Sequence, residues 1–131
     1  MRGIDTNILV RFLTRDDEKQ AKRAAEILAE ECAPESPGFI TNIVLVELVW
    51  TLSRIYEYTR PQIVSAIRAL LNSEELRFES PDELRAALEH FEEGKADFAD
   101  YLIGSLAVKN GCEDTLTFDK KAAKLPFFSR A

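Results

Sequence analysis

Apolar and polar positions along this chain follow two rhythms: short apolar runs of a few residues, and longer stretches repeating with helical period. An opening run over residues 2–5 predicts a strand, and residues 8–13 begin a short helix. Over residues 16–31, Ala21, Ala24, Ala25 and Leu28 fall on one helical stripe. Asp16, Asp17 and Glu18 suit the positive N-terminal end of that helix. Residues 34–38 read as a loop before a brief strand at Phe39 and Ile40, and Thr41 then caps a strongly apolar helix to about Ile55. Thr59 and Gln62 have the spacing of a capping box for a helix carrying Ile63, Ile67, Leu70 and Leu71. A short strand is expected over residues 76–78. Ser80-Pro81-Asp82-Glu83 then supplies an N-cap, a first-turn proline and a glutamate for a helix with Leu84, Ala87, Leu88 and Phe91, stopping near Gly94. A helix over residues 98–110 ends at Gly111, a strand over residues 115–118 ends at Asp119, and a short helix over residues 120–124 precedes a Pro126-Phe127-Phe128 tail.

Helices between successive strands predict an α/β fold whose central sheet is mainly parallel and covered on both faces. The 131 residues contain no repeat, low-complexity tract or long linker, so a single domain over residues 1–131 is expected. Ligands of such sheets bind beyond the carboxyl ends of the strands. Asp5 and Asp119 fall at two such ends.

Glu47 interrupts Ile43-Val44-Leu45-Val46-Glu47-Leu48-Val49-Trp50, a run apolar all round and therefore expected to be buried. A buried ionised carboxylate is costly unless it meets a cation, which a metal ion would supply. The plain alternatives are an arginine partner or a narrow solvent-exposed stripe. Asp100 stands in the first turn of an apolar helix beside Asp97. There it either complements the helix dipole, with Asp97 as N-cap, or faces the strand-end crevice. Asp5 and Asp119 have local readings too, as a strand-to-helix turn and as the cap of the turn that follows. Together the four carboxylates form a set of hard oxygen donors suited to Mg²⁺, or Mn²⁺ in its place, rather than to zinc. Such a set supports metal-assisted phosphodiester hydrolysis.

Charge narrows the picture. The 17 basic and 23 acidic residues leave a net charge of −6, which argues against non-specific duplex binding but not against a metal-recruited phosphodiester or a basic protein partner. The lone histidine, His90, argues against a multi-histidine metal site and a Ser-His-Asp triad, and reads as a surface residue. Cys32 and Cys112 lack metal-ligand spacing and read as reduced, semi-buried structural residues. No segment approaches the length of a membrane span and the N-terminus runs straight into folded sequence, so a cytoplasmic protein is expected.

The stretch from Gly3-Ile4-Asp5-Thr6-Asn7 to Leu13 resembles the start of PIN-domain proteins, in particular the VapC toxins of toxin–antitoxin pairs. The resemblance continues in Val46-Glu47-Leu48, in Ala96-Asp97-Phe98-Ala99-Asp100-Tyr101-Leu102-Ile103, and in Thr115-Leu116-Thr117-Phe118-Asp119. It implies a three-layer α/β/α fold and an acidic pocket for Mg²⁺ or Mn²⁺ built from Asp5, Glu47, Asp100 and Asp119. Asp5 and Asp100 would be the principal ligands, Asp119 would close the pocket, and Glu47 would act through water. Asp97 would assist or merely cap its helix, and Thr6, Asn7 and Thr117 would orient the carboxylates. It further implies an endoribonuclease, a small DNA-binding antitoxin of the VapB kind as partner, and a homodimer. A PIN-domain ribonuclease of RNA processing or decay, and a magnesium-dependent receiver or phosphatase, are the alternatives. Against the latter, this chain lacks the Asp-x-Asp that such folds carry after the first strand. Which of Arg11, Arg15, Lys95, Lys120 and Lys121 line a substrate groove is left open.

Overall fold

Every pairing between strands in the computed structural model, which describes all of Met1–Ala131, is parallel. The chain gathers into two units, Met1–Ser80 and Pro81–Ala131. In the first, β1 (Arg2–Gly3), β2 (Gly38–Ile40) and β3 (Leu76–Phe78) form a sheet in that order, with Gly3 opposite Phe39 and Ile40 opposite Phe78. The crossovers carry α1 (Thr6–Thr14), α2 (Glu18–Glu26), α3 (Asn42–Arg54) and α4 (Arg60–Leu71). Leu9, Ile40, Leu45, Leu48, Leu52, Ile63 and Ile67 are fully buried and make up most of this unit's core.

Helix starts follow local chemistry. Asp5 leaves the strand early because it is the N-cap of α1, its carboxylate accepting from the Thr6 N–H at 2.7 Å. The helix therefore opens at Thr6, two residues before the apolar pattern begins. Asp17 caps α2 by accepting from Gln20 N–H, Thr41 caps α3, and the Thr59–Gln62 capping box of α4 is complete. The long helix expected from residue 16 starts at Glu18 instead, and its last turn, Ile27–Glu31, widens to a π turn. Ala21 and Ala24 are buried as the stripe requires, while Ala25 and Leu28 are only half-buried.

Asp16 stands outside that helix because other groups hold it. It accepts from Arg11 Nη1 at 2.8 Å and from the Tyr56 hydroxyl, while Arg11 Nε donates to Gln20 at 2.6 Å. The Tyr56 hydrogen bond, ahead of the Arg11 charge, holds the Asp16 carboxyl below its ordinary value against a smaller opposing effect of desolvation. A lowered folded-state value gives stability that is present above the ordinary aspartate range and lost as pH falls through the lowered one. Tyr56→Phe should therefore melt below wild type at neutral pH. The gap should close progressively in melts run toward pH values where Asp16 is protonated, and a gap that persists unchanged into acid would contradict this account.

The second unit contains α5 (Pro81–Glu93), α6 (Phe98–Lys109), β4 (Thr115–Thr117), a 3-10 turn at Ala122–Lys124 and β5 (Phe128–Arg130). Leu84, Leu88 and Leu102 are fully buried, and Phe91 meets Phe98 edge to face at 5.8 Å. His90 is exposed, as expected, and stacks on Tyr101 at 6.0 Å. Gly111 terminates α6 at φ +91°, a conformation favouring glycine. β5 corrects the reading of the C-terminus as a tail. Phe127 turns the chain at φ +69°, and Phe128–Arg130 then pairs parallel with β4, Leu116 opposite Ser129.

Both cysteines are free. Cys32 is buried, and burial pushes its thiol pKa up, but Cys112 is exposed, contrary to expectation.

Candidate active site

The sequence-predicted acids fall into two groups, one in each unit. Asp5 and Glu47 line an open cavity of about 390 Å³ in the first unit, together with Thr6, Asn7, Val10, Arg11, Thr51, Ile55 and Tyr56. The Thr6 hydroxyl donates to Glu47 Oε1 at 2.8 Å, and the Thr6 N–H donates to Asp5 Oδ1. One threonine thus orients both carboxylates. Asn7 shares the cavity wall.

Burial does not make Glu47 unusual. Leu45, Leu48, Val49 and Leu52 turn inward, whereas Glu47 is exposed between Ile43 and Trp50, themselves 73% and 57% exposed. The helix is apolar all round because one face of it carries large apolar side chains into solvent. Glu47 therefore lies on a solvent-facing stripe, and the inference that burial obliges it to meet a cation falls. Its position beside Asp5 and its bond to Thr6 remain.

In the second unit Asp97, Asp100 and Asp119 line an open cavity of about 450 Å³ with Lys95, Ala96, Lys120 and Lys121. Asp97 occupies the N-cap position of α6, yet its side chain makes no capping bond, so capping does not account for its carboxylate. Asp100, in the first turn, is half-buried. Desolvation, then the charges of Asp97 and Asp119, raise its carboxyl pKa, partly offset by the Asp97 backbone N–H. Asp119 does cap the turn after β4, since Oδ1 accepts from Ala122 N–H at 3.0 Å and from Lys121 N–H at 2.8 Å. Those two bonds, ahead of the Lys121 charge, hold its carboxyl low despite some desolvation. Thr117 Oγ1 accepts from the Asp119 N–H at 3.0 Å, fixing the backbone of the same residue.

Asp5, Glu47 and Asp119 share a design: one carboxylate oxygen is held by hydrogen bonds within the chain and the other is left over. No three His, Cys, Asp or Glu side chains are gathered tightly enough to encircle a metal ion. The donors in the second unit nonetheless fit a hard divalent cation, because they are all carboxylates and the ionisation of Asp100 is opposed by its two acidic neighbours. Magnesium retains several of its waters and takes few protein carboxylates, so an open set suits it better than a cation demanding a closed cage.

Four of the five basic side chains left open by the sequence line these cavities: Arg11 in the first, Lys95, Lys120 and Lys121 in the second. Arg15 lines neither. The lysines carried one sequence signal, their adjacency to the acids at Lys95-Ala96-Asp97 and Asp119-Lys120-Lys121.

A family model described as the PIN domain matches residues 4–128, running through both units. The chain belongs to the PIN-domain family. It is also similar to a VapC ribonuclease of Aquifex aeolicus (strain VF5), 28% identical over 128 residues, which is 97% of this chain and 93% of that protein. The PIN assignment agrees with the α/β class and parallel strands expected from the sequence. It leaves the receiver and phosphatase readings without support.

Proposed function

We propose that this PIN-domain protein is a divalent-metal-dependent endoribonuclease and the toxin of a toxin–antitoxin pair. The observation that carries the reading is the cavity lined by Asp97, Asp100 and Asp119, where burial and like charge oppose ionisation of Asp100. Similarity to a VapC ribonuclease along nearly the whole chain supports the choice of RNA as substrate.

Asp5, Asp100 and Asp119 are the proposed ligands for Mg²⁺ or Mn²⁺, a reading supported by the PIN-domain match over residues 4–128. Bound by these residues, such an ion would supply polarisation of the scissile phosphate and activation of a water. Glu47, held at Oε1 by Thr6, keeps Oε2 uncommitted and would use it to position a water. Asp119 holds its orientation through two backbone N–H groups, and Asp97 adds an uncommitted carboxylate beside Asp100. Thr6, Asn7 and Thr117 act by orienting these groups. A small VapB-like antitoxin, a homodimer and a cytoplasmic location complete the proposal. Exposed Ile43, Trp50 and Ile55 favour burial against another chain, and no helix is long and apolar enough to cross a membrane.

Purified protein incubated with total RNA tests the reading. Discrete fragments of tRNA or rRNA should form with Mg²⁺ or Mn²⁺ and vanish with chelator. RNA left intact at every ion concentration would refute it. The alternative of a processing or decay ribonuclease predicts the same cleavage without a neighbouring reading frame for a small antitoxin, so the adjacent gene separates the two.

A further inference from the structure

Three ammonium groups share the second unit's cavity with its three carboxylates. Lys95 precedes Asp97 by two residues, and Lys120 and Lys121 directly follow Asp119, so the same two segments deliver both signs of charge. The cavity is formally neutral although the chain carries −6. All three lysines are exposed, and none is held in an ion pair, in contrast to Lys109, which binds Glu83 at 3.1 Å. Arg11, by comparison, is committed to Asp16, Gln20 and Tyr56.

Uncommitted ammonium groups on flexible stems suit phosphate oxygens, which they meet as point charges. Three of them around one cavity suit the few phosphates of a single strand. A duplex needs a wide basic face, and these three lysines stand among as many aspartates. We propose that Lys95, Lys120 and Lys121 are the backbone-phosphate contacts of a single-stranded RNA lying across this cavity. They set the affinity for substrate and its salt dependence, and leave the chemical step to the carboxylates. This assignment rests on the ribonuclease reading above.

The test compares wild type with the triple variant Lys95→Ala/Lys120→Ala/Lys121→Ala on a short fluorescein-labelled single-stranded RNA. Cleavage kinetics and fluorescence anisotropy are both recorded with Mg²⁺ present, between about 50 and 200 mM KCl. The triple variant should raise KM and Kd at least about ten-fold at the lower salt, with kcat within about two-fold of wild type. The plots of log Kd and of log(kcat/KM) against log[KCl] should each become shallower by about 2, from about 0.7 per lost contact to a single strand. Replacing the same three lysines by arginine should restore both slopes.

A matched control removes the same charge from exposed sites outside the cavity, as Lys19→Ala/Lys22→Ala/Arg77→Ala, and should leave KM and slope unchanged. Wild-type values in the cavity variant, or an equal change in the matched control, would overturn the assignment. Binding that depends on the three lysines without any cleavage would sink the ribonuclease reading and leave the phosphate contacts standing. Cleavage indifferent to the lysines would do the reverse, and a wild-type protein that neither binds nor cuts the RNA overturns both.

Discussion

Asp100→Asn should lower RNA cleavage on the order of 10³-fold, the scale on which losing one preorganised electrostatic group slows an enzyme, while making the ion-free protein more stable. The two effects have one cause. Asp100 ionises against desolvation and against the charges of Asp97 and Asp119, so its carboxyl is raised from the ordinary value. The folded protein then binds the Asp100 proton more tightly than the unfolded chain does. Stability falls as pH rises from the ordinary aspartate value through the raised one, and the charged form remains a liability at neutral pH. Asparagine keeps the shape and removes the charge. In chelator the variant should melt a few degrees above wild type at neutral pH, with the difference shrinking toward acid. With Mg²⁺ or Mn²⁺ the order should reverse or close, because an ion that binds only the folded state stabilises wild type by mass action. A variant that is inactive but less stable in chelator would make Asp100 an ordinary structural residue.

The helices and the candidate acids were legible because their signals are local. Thr41, Thr59 with Gln62, and Gly111 mark helix ends through bonds or backbone angles within a few residues, and all appear where expected. Asp5, Asp100 and Asp119 were found from their places at strand ends and in a helix first turn, and each lines a cavity. Features set by non-local partners were not legible. β5 pairs with β4 across the intervening turn and is too short to show a period, and Asp16 left its expected helix for Arg11 and Tyr56. Glu47 shows the limit of arguing from composition. An all-apolar run predicts burial only if every face has something to pack against, and the face bearing Ile43, Glu47 and Trp50 does not.

Asp5, read locally as a strand-to-helix turn, and Asp119, read as a cap, both make capping bonds, and these do not compete with the proposed functional roles. A carboxylate has two oxygens. At Asp119 both backbone donors fall on Oδ1, and at Asp5 the Thr6 N–H falls on Oδ1, so capping fixes the side chain and leaves the second oxygen uncommitted. Asp97 is the converse, standing at a cap position without making the cap.

Gly94→Ala should destabilise the protein by about 1–3 kcal/mol, the usual range for overpacking a filled site, and should disturb the acidic cavity without touching any acid. A methyl group there would overlap the Tyr101 hydroxyl and stand 2.8 Å from the His90 carbonyl oxygen. Tyr101 has little freedom to yield. Its ring is buried, it stacks on His90, and its hydroxyl is the acceptor for the buried Ala96 N–H at 3.4 Å. Moving the ring therefore leaves an orphaned backbone donor as well as a void. The segment that shifts, residues 94–97, delivers Lys95 and Asp97 to the cavity beside Asp100. Cleavage should accordingly fall along with stability. Tyr101→Phe deletes the overlapping oxygen, so in the double variant Gly94→Ala/Tyr101→Phe the two losses should sum to clearly less than their separate values, the coupling expected of residues in direct contact. Strict additivity in chemical denaturation would show that the Tyr101 hydroxyl is not what excludes a side chain at position 94.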